Sequence, residues 1–141
     1  MITSVNNELV KETVKLQQKK FRDRENKFLL EGFKCIEEAF NAGIEIEYAF
    51  TADEEKYSFL SDKVILTNEA VLKKASTTDT APDAVAVAVK KNYTLSDLKD
   101  AKKVLLLENI KDLGNLGTIL RTSTAFCADA VVLYGKECAD I

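Results

Sequence analysis

Apolar positions along this chain alternate between helical spacing and short, strand-like runs, and the alternation lays out its elements. From Asn7 to about Lys20, the residues Leu9, Val10, Thr13, Val14, Gln17 and Phe21 fall on one side of a helix. Asn7 is placed to cap it. A short strand follows in Phe28-Leu29-Leu30-Glu31-Gly32, and then Phe33, Ile36, Ala39 and Phe40 return to helical spacing before Gly43 stops the helix as a C′ residue. Ile44 to Phe50 alternates apolar with acidic residues and reads as a strand. A helix from about Ala52 to Leu60, a strand at Lys63 to Leu66, and a short helix facing inward through Ala70, Val71 and Ala75 come next, the last capped by Thr67 or Asn68. Ser76 to Pro82 has no periodicity, and Ala84 to Val89 is one more strand. Strands and helices in this order predict an α/β fold, arranged as a compact α/β/α sandwich.

Asn92 to about Lys102 is polar and reads as a linker, with Ser96 capping a single turn. Beyond it the pattern changes. Val104 to Leu107 is continuously apolar, as in a strand buried on both faces. Asp112, Gly114, Asn115 and Gly117 supply turn and helix-start chemistry. From Leu116 the positions Leu116, Ile119, Leu120, Ser123 and Cys127 then share a helix face. Ala130 to Leu133 is a second apolar run. Strand, glycine-containing turn, helix and strand make a βαβ unit, with its turn at the carboxyl end of a parallel strand, where open α/β sheets bind ligands. At about 100° per residue, Arg121 lies well off the apolar face, beside Thr118, Thr122 and Ala125.

Charge and composition narrow the chemistry. The 141 residues are 46% hydrophobic and 30% charged, which suits a folded chain, and the net charge of −3 confers no general affinity for polyanions. A local surface is different. Lys11, Lys15, Lys19, Lys20, Arg22, Arg24 and Lys27 face only Glu12, Asp23 and Glu25 in the same stretch. That density of positive charge can follow a phosphate backbone without regard to sequence. The absence of histidine removes histidine triads, histidine metal sites and the usual neutral-pH proton shuttle, and no other metal-ligand spacing is present. Cys35, Cys127 and Cys138 are odd in number and widely spaced, which points to a reduced, cytoplasmic chain. The longest apolar run, Ala84 to Val89, is far too short to span a bilayer.

The run Glu108-Asn109-Ile110-Lys111-Asp112-Leu113-Gly114-Asn115-Leu116-Gly117-Thr118-Ile119-Leu120-Arg121-Thr122 resembles the first signature motif of the SpoU/TrmH family of RNA ribose 2′-O-methyltransferases, members of the knotted SPOUT class. Leu113 stands where that motif has proline, and Cys127 stands where it has a helix-ending glycine. The amino-terminal half is similar to the family too, through Ile2-Thr3-Ser4, Lys15-Leu16, Lys19-Lys20-Phe21-Arg22 and Phe28-Leu29-Leu30-Glu31-Gly32. The resemblance implies an RNA-binding substrate domain in residues 1–91, a linker in 92–102 and the first βαβ unit of the SPOUT methyltransferase domain in 103–141.

It also implies roles. Methyl transfer from S-adenosylmethionine to a ribose 2′-hydroxyl needs the RNA held in line with the methyl group. Asn115 would hydrogen-bond at the turn, and Arg121 would orient the ribose and stabilise negative charge developing on its oxygen, since arginine holds its proton too tightly to serve as a base. Glu108, Asp112, Gly114 and Gly117 would shape the turn, and the seven basic residues would hold RNA, ribosomal rather than transfer.

The family's later motifs, which form the knot and cradle the cofactor, have no counterpart here, so no cofactor-binding residue is expected. The expectation is a fragment, split-gene product or truncated frame that does not methylate RNA alone, from a family whose full-length members pair as homodimers. The competing reading is a non-catalytic RNA-binding module. A KH-type loop at Leu113–Ile119 is disfavoured by the strand before it, and neither a P-loop nor a dinucleotide motif occurs.

Overall fold

The computed structural model describes residues 1–139, so the last two positions of the segment 103–141, Asp140 and Ile141, lie outside the described residues. The chain divides into two compact units, Met1–Lys91 and Asn92 onward.

The first unit contains α1 (Glu8–Lys15), α2 (Lys19–Glu25), β1 (Lys27–Glu31), α3 (Phe33–Asn41), β2 (Ile46–Thr51), β3 (Val64–Leu66), α4 (Glu69–Ala75) and β4 (Ala84–Val89). Its sheet runs β1-β4-β2-β3, with β4 antiparallel to both neighbours and β2 parallel to β3. Central β4 explains the arrangement. Its alternating alanines and valines are buried on both faces, from Ala84 to Ala88. Ala84, Ala86 and Ala88 are small enough to let Ile36 of α3 and the ring of Tyr57 close over one face. Val85 packs with Val10 of α1, Phe50, and Val71 and Leu72 of α4 on the other. Each fully buried side chain of this size stabilises the fold by about 1.5–3 kcal/mol.

Local capping sets the helix ends. Asn7 Oδ1 accepts the Leu9 N–H at 2.9 Å, and Asn68, not Thr67, caps α4 by accepting the Val71 N–H at 3.0 Å. Gly43 ends the α3 segment at φ +71°. Two expectations fail here. The helix from Asn7 to Lys20 is interrupted between Lys15 and Lys19, because Gln17 turns its amide onto the Lys74 and Ser76 carbonyls, 3.0 Å each, while Arg22 Nη1 binds the Leu16 and Gln17 carbonyls at 3.2 and 3.0 Å. These bonds to distant chain outweigh continued helix. The helix from Ala52 to Leu60 is replaced by turns and a 3₁₀ segment over Ser58–Lys63. Thr51 Oγ1 accepts the Asp53 N–H and Asp53 Oδ1 the Lys56 N–H, both at 3.1 Å, so short side chains satisfy the backbone locally and compete with helix.

The second unit holds a 3₁₀ turn (Leu95–Leu98), β5 (Val104–Glu108), α5 (Leu113–Ala125) and β6 (Ala130–Tyr134). Thr94, rather than Ser96, caps the 3₁₀ turn through a capping box with Asp97. β5 and β6 are parallel, paired from Val104–Ala130 to Glu108–Tyr134 and joined by α5. Contrary to the continuous apolar run, β5 is not buried on both faces: Leu106 is 63% exposed and Val104 46%. β5 has only β6 beside it among the described residues, and α5 reaches the sheet through Leu116 and Ser123. No helix among the described residues is long and apolar enough to cross a membrane.

Candidate functional site

The corner between β5 and α5 is fixed from both strands. Asn109, just past β5, takes a left-handed conformation with φ 50° that its short polar side chain tolerates. Its N–H donates to the Tyr134 carbonyl at 2.8 Å, and its Oδ1 accepts the Glu137 N–H at 3.3 Å. The other end of the strand pair is held by Asp129, whose carboxylate accepts the Lys103 and Lys102 N–H groups at 2.8 Å each. Those two bonds hold its carboxyl below the usual range.

Asp112 is the N-cap of α5, its Oδ1 accepting the Asn115 N–H at 2.6 Å. The helix therefore starts at Leu113, three residues before the expected Leu116, and Gly114 and Gly117 lie inside it rather than in a turn. Leu113 occupies the first helical position, where the family's proline would also fit. Neither glycine has a positive φ, and at Gly117 a Cβ would meet nothing within 4 Å. Helical spacing puts both on the side of Arg121; the Asp112 carboxylate lies 3.2 Å from a Cβ built at Gly114, so the backbone open to close approach there is that of Gly117.

Arg121 is exposed and makes no hydrogen bond or ion pair among the described residues. Asn115 is exposed as well, but sits about 120° around the helix from Arg121 and about 9 Å along it. The two flank the corner without sharing a cleft. Glu108 closes β5 on the surface, and Lys111 bridges to Glu137 at 2.6 Å beside the turn.

A cleft of about 410 Å³ against α5 is walled by Val104, Leu105, Ile119 and Phe126 and includes neither Asn115 nor Arg121. Its hydroxyls are already committed: Thr118, Thr122 and Ser123 donate to the carbonyls of Gly114, Thr118 and Ile119. Lys103 is its one charged lining residue, with Nζ 3.3 Å from the Phe126 carbonyl, and the remaining walls are mostly apolar.

Where the helix motif ends, Cys127 adopts φ 54°. The backbone keeps the left-handed corner that glycine would take without strain. Replacing Cys127 with glycine is therefore expected to stabilise the second unit by about 1 kcal/mol, read as a higher urea midpoint at unchanged slope. An unchanged or lower midpoint would contradict this.

The basic residues do not form one stripe, because the break after Lys15 divides them between α1 and α2, with Lys27 on β1. Lys11 pairs with Glu8, Lys19 with Asp23, Arg24 with Glu25 and Lys27 with Glu47. Lys20 and Arg24 each lie 4.8 Å from the Phe21 ring centre. Arg22 is spent on the α1–α2 junction and acts as a structural brace. Lys15 remains exposed without an ion pair among the described residues, and so does Lys74 of α4, which the sequence pattern did not single out. Packing of α1 on α4 brings these two helices together, so their lysines share one side of the unit.

Also missed was Glu31. Its carboxylate accepts the Thr77 N–H and hydroxyl at 2.9 and 2.6 Å and so organises the loop before β4. A glutamate next to Gly32 gave no hint of a partner so far along the chain.

Comparison with known proteins places this geometry. A family model described as the MRM3-like substrate binding domain matches residues 7–86. The chain is 34% identical to the 23S rRNA (guanosine(2553)-2'-O)-methyltransferase RlmP of Bacillus subtilis over 99% of its own length and 56% of that protein's. Among solved structures, an RNA 2'-O ribose methyltransferase superposes with a TM-score of 0.73 at 36% identity, covering 96% of this chain and 55% of the other. The AdoMet-bound rRNA methyltransferase of Sinorhizobium meliloti superposes with a TM-score of 0.83 at 30% identity, over 99% and 55%. The chain thus spans about half the length of the relatives it matches.

Proposed function

Because the chain belongs to the SpoU/TrmH family of RNA methyltransferases, whose cofactor is S-adenosylmethionine, we propose that it forms the RNA-holding part of a ribosomal-RNA ribose 2′-O-methyltransferase. The observation that carries this is the open corner at α5. Arg121 has no side-chain partner there among the described residues and stands beside backbone that Gly117 leaves open. A guanidinium so placed can grip a ribose or phosphate oxygen with two parallel N–H bonds and steady charge on the 2′-oxygen. Asn115 supplies a second polar group from the flank. The first unit holds the RNA, and the described residues give no turnover without the remainder of a catalytic domain. Ribosomal RNA as substrate, the cytoplasm as location, and pairing of two copies in the complete enzyme follow from the same family reading.

Phosphate contact should run through the lysines left without partners. Lys15→Glu with Lys74→Glu is expected to weaken binding of the full chain to ribosomal RNA by roughly tenfold or more at low salt. It should also flatten the log–log salt dependence by about 2, one for each lost phosphate contact. If fluorescence anisotropy gave the same affinity and slope for the variant, this surface would not be the one that meets RNA.

A further inference from the structure

Where the α1–α2 break, strand β1 and the threonine-rich loop before β4 converge, the first unit carries a pocket of about 200 Å³. Its floor is apolar, made by buried Leu16 and the partly buried Leu29, which faces the α1 side of the sheet. The rim is polar, and every rim group is held in place. Gln17 is tied to the Lys74 and Ser76 carbonyls, Arg22 to those of Leu16 and Gln17, and Thr77 to Glu31 Oε1 through both its N–H and its hydroxyl. Glu31 Oε2 is used far less, with a single 3.4 Å contact from the Thr78 hydroxyl. A carboxylate oxygen can accept two hydrogen bonds, so a charged acceptor is left under-used at the mouth of an apolar pocket.

The ligand that suits such a pocket is flat, apolar on its faces, and lined with donors on one edge. A phosphate is excluded by the negative charge of Glu31. Resting on the proposal that this unit holds RNA, we infer that the pocket takes an unpaired RNA base and that the base is guanine. Single-stranded RNA is read by bases splayed from the stack, held by their Watson–Crick edges and by stacking on aromatic rings or guanidinium planes. Guanine alone among the four bases sets two N–H donors, N1 and N2, side by side on that edge, close enough together for the single oxygen Oε2 to accept from both while Oε1 stays with Thr77. Glu31 then does two jobs: one oxygen shapes the loop and the other reads the base.

The test uses the full chain and labelled oligouridine of nine nucleotides, with a single central guanosine, adenosine or cytidine in turn. By anisotropy the guanosine oligomer is expected to bind about tenfold tighter than all-uridine, the discrimination usual for one well-made carboxylate or guanidinium base contact. Glu31→Gln keeps an acceptor for Thr77 but replaces Oε2 with a donor. It should erase the preference, with affinity for all-uridine and the melting temperature unchanged. Free guanosine monophosphate, unlike adenosine monophosphate, should displace the guanosine oligomer from the unaltered protein. Equal affinities for all oligomers, or a preference that survives Glu31→Gln, would overturn the pocket and leave RNA binding intact. Failure to bind any oligomer or ribosomal RNA would overturn both.

Discussion

Joined to the carboxyl-terminal half of one of its relatives, this chain with Arg121→Ala is expected to transfer methyl groups to RNA roughly 100- to 1000-fold more slowly than the same fusion unaltered. Its melting temperature should not change. Both halves of that expectation come from the position of the side chain. Arg121 is exposed on the far side of α5 from Leu116 and Ser123 and makes no bond among the described residues, so nothing in the fold is lost with it. If its work is instead done on the bound ribose, the loss falls on the transition state. Arg121→Lys retains charge but not the two-pronged guanidinium, and should recover only part of the rate. Normal turnover by the alanine variant would remove Arg121 from the site.

The second large effect is expected at Gly135, with the cost in stability. Gly135 has φ +110°, and a Cβ built there would overlap Asn109 Oδ1 and stand 2.7 Å from its Cγ. Gly135→Ala therefore meets both a backbone conformation hostile to a side chain and a direct overlap with the residue that ends β5. A loss of about 2–4 kcal/mol is expected in urea unfolding of the second unit. Because half the conflict is with the Asn109 amide, adding Asn109→Gly to Gly135→Ala should cost less than the separate changes sum to. Strict additivity, or a Gly135→Ala protein as stable as the parent, would show that this contact does not hold the corner.

The first unit was readable from sequence wherever one local pattern sufficed. The run Ala84–Val89 announced a strand with two buried faces, and Asn7 and Gly43 announced helix ends, because each signal acts within a few residues. The break between α1 and α2 was not readable, since its causes are Gln17 reaching the end of α4 and Arg22 reaching back over the junction. The same contacts split the expected basic stripe and tie Arg22 Nη1 to the α1–α2 junction. In the second unit, Asp112 was correctly taken as helix-start chemistry, but its capping of α5 draws Gly114 and Asn115 into the helix. Composition made β5 look buried, yet burial needs neighbours on each side, and hydropathy cannot count them. The motif could mark Asn115 and Arg121, and it could not show that they lie a third of a turn apart.

The central claim is that this family member addresses the ribose and not the base. It is tested by incubating ribosomal RNA with the joined protein and S-adenosylmethionine labelled in its methyl group, then digesting the RNA with alkali. A methyl group on a 2′-oxygen blocks cleavage at that nucleotide, so the label is predicted in an alkali-stable dinucleotide. Label recovered in mononucleotides would contradict the account.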